Sequence, residues 1–182
     1  MYSPDSMSFN SMQLLPLTSP ELIDLAAGWL SEKRNYQWLD FGNGVQKLDS
    51  LALKIMLRKD AHLIRAFTDE GNRPIGVVGL SSIDRKFKTA SLWIALGEKQ
   101  YSKKGYALLA VHMALELAFK ELGLAAVNVW AVECNHASLR IMKYFDFKPI
   151  GRQRKCHYID DRAYDRLWFD LLSSEFKGLN ND

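Results

Sequence analysis

Apolar residues recur along the first third of the chain with a helical period. Ser19, which suits an N-cap, and Pro20, which suits a first helical turn, open a predicted helix that runs to about Ser31. A short edge strand is predicted before it, over 12–17, and a second helix after it, over 48–58. The period then changes near residue 60, which indicates that strands follow.

Three strands with short links, typical of a β-meander, are predicted over 61–68, 73–81 and 90–96. A helix that is apolar nearly all round follows over 104–122, and Gly123 ends it. An apolar helix of this kind packs inside a domain, so we expect it to be largely buried against the sheet.

The last part of the chain alternates between strands and helices. A buried strand is predicted over 126–132, a short helix over 135–144, and a closing hairpin over 149–158 and 164–172. The whole pattern predicts a mixed α/β fold. We expect residues 12–182 to form a single domain behind a flexible tail, residues 1–11.

Composition narrows the class of protein. The 182 residues are 48% hydrophobic and 25% charged, which fits one folded domain with its own core. The net charge of +3 is spread over the chain without basic clusters, and no apolar run reaches the roughly 18 residues that span a bilayer, so we expect neither a nucleic-acid nor a membrane partner. Only two cysteines and a polar first segment indicate a cytoplasmic protein. No zinc-like ligand spacing occurs, so no metal site is expected.

The loop before the apolar helix is the first candidate site. Backbone N–H groups at a helix N-terminus lack intrahelical partners and suit a phosphate. Gly105 allows close approach to the backbone, Ala107 keeps the next turn slim, and Lys103 and Lys104 add positive charge. On spacing alone, an ordinary strand–loop–helix connection is an equally good interpretation.

Several segments, in their order along the chain, resemble one family. The segment 97–107, which reads GEKQYSKKGYA, resembles the acetyl-CoA loop of GNAT acetyltransferases. Further matches follow at Ala118-Phe119, at Leu122-Gly123-Leu124, and in the segments 135–140 and 143–151. Within the family, the chain is most similar to the ribosomal-protein-alanine acetyltransferase branch, and the resemblance extends over 73–175.

The resemblance implies a GNAT fold, a central mixed and mostly antiparallel sheet that is flanked by helices and splayed between its fourth and fifth strands. Acetyl-CoA is the implied cofactor, wedged in that gap. Its implied contacts are Trp93, Ile94, Ala95, Ser102, Lys103, Lys104, Gly105, Tyr106, Ala107, Asn135 and Ser138. Two positions depart from the family loop, since Ser102 stands where Gln or Arg is usual and Lys103 where glycine is frequent.

The resemblance also implies acetyl transfer to a primary amine, yet two usual catalytic positions are changed. Met142 stands where many members have a tyrosine acid, which makes Ser138 the candidate acid, unless its hydroxyl only caps the helix. Ser91 stands where members often have glutamate. Glu133 is therefore the candidate base; alternatively it forms a salt bridge, and the amine loses its proton to water.

The irregular segment between the first two helices is where family members contact acceptors. Tyr36, Trp38 and Asp40 are the candidate substrate residues, although the aromatic rings can equally be core residues. The acceptor is expected to be a small amine, an amino sugar or a protein N-terminus. The alternative function is a catalytically weak or inactive domain that binds or senses CoA. Either would act as a monomer or a homodimer.

Overall fold

The computed structural model describes residues 11–178 and contains one seven-stranded sheet in the order β1-β2-β3-β4-β5-β7-β6. Its strands are β1 (Leu14–Pro16), β2 (Leu63–Thr68), β3 (Pro74–Asp84), β4 (Thr89–Leu96), β5 (Ala126–Val132), β6 (Lys148–Ile159) and β7 (Arg162–Leu172). All neighbours pair antiparallel except β4 and β5, which are parallel. The predicted mixed, mostly antiparallel sheet is confirmed. The expected tail falls, apart from Ser11, outside the described residues.

Helices cover both faces of the sheet. They are α1 (Pro20–Ser31), α2 (Lys33–Tyr36), α3 (Ser50–Leu57), α4 (Tyr106–Glu116) and α5 (His136–Tyr144). Side chains alternate between faces along each strand, so each strand supplies two cores. One core packs α4 and α5 against residues such as Phe67 and Val127, and the other packs α1 and α3 against residues such as Ile64 and Val77.

Local chemistry explains where the first helices begin. Ser19 accepts a hydrogen bond from Leu22 N–H at 3.2 Å, and Asp49 accepts one from Ala52 N–H at 2.7 Å, so each is a side-chain N-cap. The sequence pattern predicted the first helix correctly and placed the second within two residues. It missed the single turn of α2, which is too short for an apolar period to be recognised.

The long apolar helix predicted over 104–122 is divided. Regular α-helix ends at Glu116, and residues Leu117–Glu121 form a π-helical turn. Gly123 has a φ of +62°, as expected of the residue after a helix, and Leu124 N–H bonds the Ala118 carbonyl at 3.0 Å. Within residues 11–178, no helix is both long and apolar enough to cross a membrane.

Candidate active site

The sheet opens between β4 and β5. The two strands pair only at Thr89↔Ala126, Ala90↔Val127 and Ser91↔Asn128. Beyond Ser91 they separate, and a cleft of about 1350 Å³ lies between them. The predicted splay between the fourth and fifth strands is therefore present, and it leaves one edge of β4 without a partner strand.

The free edge of β4 is centred on Ile94. Gly97 N–H donates to the Ile75 carbonyl of β3 at 2.8 Å. Because backbone groups alternate in direction along a strand, the odd-numbered residues at this end of β4 also direct their N–H and C=O groups to β3. Residues 93 and 95 therefore direct their backbone groups to β3. Ile94 directs its N–H and C=O into the gap, where an extended ligand can pair with them as a strand would. Of the expected segment Trp93 to Ala95, only Ile94 turns its backbone groups toward the gap.

The turn before α4 exposes a set of backbone donors. Gly105 is the N-cap with a φ of +88°, and no side chain caps the helix. Lys104 N–H is already bonded to the Tyr101 carbonyl at 3.3 Å. No acceptor among residues 11–178 is recorded for the remaining N–H groups of the turn and first helical residues, at positions 103, 105, 106, 107 and 108. These donors and the helix dipole suit a diphosphate.

Lys103 stands where the family loop frequently has glycine. Its φ is +63°, in the left-handed region that glycine adopts without strain. A lysine there costs on the order of 1 kcal/mol of backbone strain. The chain keeps the loop conformation without the glycine and gains an exposed cation beside the donors.

Tyr106 and Tyr101 hold this loop against the turn between β2 and β3. Tyr101 hydroxyl donates to Asp69 at 2.7 Å, and Tyr106 hydroxyl donates to Glu70. Burial, followed by the Glu70 hydrogen bond, raises the pKa of Tyr106 far above its usual range. The Tyr106 side chain does not line the cleft, so only its backbone N–H belongs to the expected site.

Asn135 and Ser138 lie together at the start of α5, and both line the cleft. Asn135 Oδ1 accepts the Ser138 N–H at 3.2 Å, which makes Asn135 the N-cap of the helix. The Asn135 amide NH₂ and the Ser138 hydroxyl have no recorded partner in the described part of the chain. Both groups are thus available to a ligand, while Met142, at the usual tyrosine position, is buried.

Glu133 lies outside the cleft lining. Its Oε1 accepts the Asp165 N–H at 3.0 Å, and its Oε2 accepts Arg152 Nη2 at 2.8 Å. Arg152 also bonds the carboxylate of Asp165. Both carboxylate oxygens of Glu133 are occupied in this ion network. Glu133 therefore forms the salt bridge that the sequence offered as the alternative, and we do not assign it a proton-transfer role.

The irregular segment after α2 forms one wall of the cleft. Trp38 and Asp40 line it, as expected of substrate residues, whereas Tyr36 does not. Lys47 Nζ lies 4.3 Å from the centre of the Tyr36 ring. Tyr36 thus packs as part of the wall rather than at the cleft surface.

Asp40 is already paired with a cation. Arg166 Nη2 donates to Asp40 Oδ2 at 2.7 Å, and both side chains are nearly buried. Burial opposes ionisation of Asp40, but the hydrogen bonds from Arg166 and Gly42 N–H outweigh it and hold its pKa below the ordinary value. Arg166 also lies 4.0 Å from the Trp130 ring centre. Asp40 therefore positions the wall and is not a free anion for an amine.

His157 continues this network beneath the wall. Its Nε2 is 2.6 Å from the Gln37 carbonyl, so Nε2 carries the proton, and Nδ1 accepts from Arg166 at 3.0 Å. Burial lowers the pKa of His157, the charge of Arg166 lowers it further, and the Gln37 carbonyl and Asp40 act in the opposite direction. His157 is thus a neutral histidine that connects β6 to the segment after α2.

This burial predicts a loss of stability in mild acid. His157 titrates near 6.5 when unfolded and lower when folded, so the unfolded chain binds more protons as the pH falls below 6.5. The free energy of unfolding should decrease between pH 6.5 and 5.5 by up to about 1.4 kcal/mol per pH unit from this residue. Urea unfolding at pH 7.5 and 5.5 measures it. His157→Gln should show a weaker pH dependence, and an unchanged dependence would contradict the assignment.

His62, just before β2, is a cleft residue that the sequence did not single out. Its Nδ1 is buried without a partner among the described residues, and its side chain lines the cleft. Burial, followed by the charge of Lys59, lowers the pKa of His62. It directly precedes Leu63, which lies opposite Leu80, and the next residue of β3, Ser81, pairs with Ser91. A neutral imidazole therefore faces the cleft on the side of the aromatic wall.

No group of three or more potential metal ligands is found within residues 11–178.

Comparisons with known proteins agree with this geometry. The family described as acetyltransferase (GNAT) domain matches residues 12–148, more than half of the chain. No curated protein sequence is significantly similar. A solved structure of spermidine N-acetyltransferase from Vibrio cholerae in complex with CoA and spermine is 16% identical, with a TM-score of 0.80, over 91% of this chain and 97% of that one. A mutant of the Vibrio cholerae enzyme is 19% identical, with a TM-score of 0.78, over 91% and 95% of the two chains.

These structural likenesses establish the shared fold, and the family match carries the assignment. The GNAT family uses acetyl-CoA as its acyl donor. The splayed sheet and the uncapped backbone N–H groups before α4 are the features that binding of acetyl-CoA requires. The chain belongs to the GNAT acetyltransferase family.

Proposed function

We propose that residues 12–182 act as one cytoplasmic domain that transfers the acetyl group of acetyl-CoA directly to a primary amine. The observation that carries the proposal is the cleft itself, where the unpaired edge at Ile94, the uncapped turn at Gly105 and the free amide of Asn135 converge. The three features match a pantetheine arm that ends in a diphosphate, so the residues present fit the cofactor.

Each part of the cofactor has a group to receive it. The Ile94 carbonyl would accept a hydrogen bond from a pantetheine amide, and Asn135 would donate to the same arm. The N–H groups from Lys103 to Leu108, other than that of Lys104, would hold the diphosphate, with Lys103 and Lys104 adding charge. Ser102 lines the cleft at the same turn.

When bound, acetyl-CoA supplies the thioester whose carbonyl carbon the amine attacks. The backbone N–H of Ile94 is positioned on the free edge of β4 to donate to the acyl oxygen. Ser138 hydroxyl, which has no hydrogen-bond partner within residues 11–178, would donate a proton to the leaving thiolate. His62 would accept the amine proton, directly or through a water, because its side chain lines the cleft and burial favours its neutral form.

Substitution of Ser138 tests its role as an acid. Ser138→Ala removes the hydroxyl and keeps the Asn135 cap, which uses only the Ser138 N–H. We expect kcat to fall about 10²-fold with little change in acetyl-CoA affinity. Steady-state kinetics and calorimetry measure the two effects. Ser138→Thr, which keeps a hydroxyl, is the matched control, and a full rate in Ser138→Ala would leave Ser138 as a helix residue only.

Several chemical classes of acceptor amine are proposed, whereas acetyl-CoA is the single proposed acyl donor. A small amine, an amino sugar and a protein N-terminus are the candidate classes, and likeness to the ribosomal-protein-alanine branch supports the last. Likeness to the spermidine N-acetyltransferase fold adds polyamines to the panel. A thiol-release assay with acetyl-CoA against these classes tests the function. Amine-dependent release is expected.

The second candidate, a CoA-binding or sensing domain without turnover, is motivated by Met142 and Ser91 at the usual catalytic positions. Acetyl-CoA binding without thiol release for any class of amine would favour it. Absence of acetyl-CoA binding would contradict both candidates.

A further inference from the structure

Tryptophan side chains lie around the gap between β4 and β5, on one face of the sheet. The chain has five, and four of them line the cleft: Trp38, Trp93, Trp130 and Trp168. Ser91 hydroxyl donates to Asn128 Oδ1 at 2.5 Å, so the side chains at 91 and 128 share a face. Alternation along the strands places Trp93 and Trp130 on that face too, on opposite sides of the gap.

The aromatic surface extends beyond these two rings. Trp168 lies directly opposite Trp130 in the register, with ring centres 6.5 Å apart. Phe41, from the segment after α2, meets Trp93 edge to face at 5.1 Å. The acceptor side of the cleft is thus bounded by flat aromatic rings, which favour another ring in an offset or edge-to-face arrangement.

Charge argues against a polycationic acceptor. Among the described residues that line the cleft, Asp40 is the only carboxylate, and its charge is neutralised by Arg166. Arg34, on the same wall, is paired with the carboxylate of Glu32 and donates from Nη2 to the Gly97 carbonyl at 2.5 Å. The remote ammonium groups of a polyamine would find no free carboxylate on this described wall of the cleft.

We propose, on the basis of the proposed function, that the acceptor is an arylalkyl monoamine, a primary amine joined by a short chain to one aromatic ring. The ring would lie between Trp38 and the indoles of Trp93, Trp130 and Trp168. The amine would then point to the free edge of β4 and the imidazole of His62. No carboxylate on the described wall is free to bind a second ammonium group, so we expect an acceptor with a single amine to be preferred.

The first test compares acceptors. With saturating acetyl-CoA, kcat/KM is measured for 2-phenylethylamine, tryptamine, n-butylamine, spermidine and a peptide with N-terminal phenylalanine. We expect the two arylalkylamines to exceed n-butylamine and spermidine by about 10-fold or more. Spermidine or n-butylamine at an equal rate would overturn the inference, and so would a peptide that is acetylated faster than both arylalkylamines.

The second test changes the wall. Trp38→Ala and Trp168→Leu should each lower kcat/KM for 2-phenylethylamine by about 10-fold and for n-butylamine by less than about 3-fold. Trp29→Phe is the matched control, because Trp29 is a buried residue of α1 and the one tryptophan outside the cleft lining. Thermal unfolding checks that each variant folds. Equal losses for both amines in two folded wall variants would overturn the aromatic site.

Failure of turnover is distinguishable from failure of this inference. If acetyl-CoA binds but no amine releases thiol, the proposed function is wrong. Acceptor binding is then followed by tryptophan fluorescence in the CoA-loaded protein, since four indoles line the cleft. A dissociation constant for 2-phenylethylamine at least about 10-fold lower than for n-butylamine would support the aromatic site. No such difference would overturn it.

Discussion

Gly105→Glu should weaken acetyl-CoA binding by on the order of 100-fold or more. Gly105 has a φ of +88°, which a glutamate adopts only with strain. Its carboxylate would also stand at the N-terminus of α4, among the N–H groups at positions 103 and 105–108, and repel the diphosphate that those groups are expected to hold. Isothermal calorimetry with acetyl-CoA and with CoA measures the loss.

Gly123→Glu is the matched control for this substitution. Gly123 also has a positive φ, +62°, and a side chain there meets nothing within 4 Å. It lies past the far end of the same helical segment, so the backbone strain is similar while the charge is remote from the cleft. The control should bind acetyl-CoA normally. Equal affinities in both variants, each folded, would mean that the diphosphate lies elsewhere.

His62→Gln should lower kcat by about 10²-fold while acetyl-CoA affinity stays unchanged. The physical reason is the neutral imidazole on the acceptor side of the cleft, which would accept the proton of the amine. Burial, followed by the charge of Lys59, holds the pKa of His62 below its ordinary value of 6.5. Activity of the unmodified enzyme should therefore fall only in acid below pH 6.5, where the ring becomes protonated. The acidic decline at that pH should be absent from the variant.

His112→Gln is the control for a general histidine effect. His112 lies in α4, is buried, and like His62 has an Nδ1 without a partner in the described chain, yet it does not line the cleft. Its replacement should change stability rather than turnover. If His62→Gln keeps full activity and the same pH profile, the amine loses its proton to water and His62 only shapes the wall.

The sequence predicted the architecture because its elements have clear periods and clear ends. Ser19 and Pro20, the turn at 69–72 and Gly123 each lie where the structure changes direction. The turn around Gly105 and the helix cap at Asn135 also lie where the resemblance placed them. The separation of β4 from β5 was predicted from the family resemblance and not from the hydrophobic periodicity, because nothing in the sequence of β4 or β5 shows where their pairing stops.

Side-chain partnerships were much harder to predict. Asp40 and Glu133 were reasonable candidates as isolated carboxylates, but Arg166 and Arg152, distant from Asp40 or Glu133 in sequence, neutralise them. His62 and the row of indoles depend on strand register across the sheet, which residue spacing does not reveal. Tyr106 shows the same limit, because its backbone and its side chain face different parts of the structure.

The central claim is that acetyl-CoA lies in the gap between β4 and β5, and amide hydrogen exchange tests it most directly. Addition of acetyl-CoA should slow exchange at Ile94 and at the N–H groups from Gly105 to Leu108, whereas amides of β2, which already pair on both sides, should be unchanged. Slowed exchange at these positions is the predicted result. Binding that leaves them unprotected, or that protects another surface instead, would contradict the account.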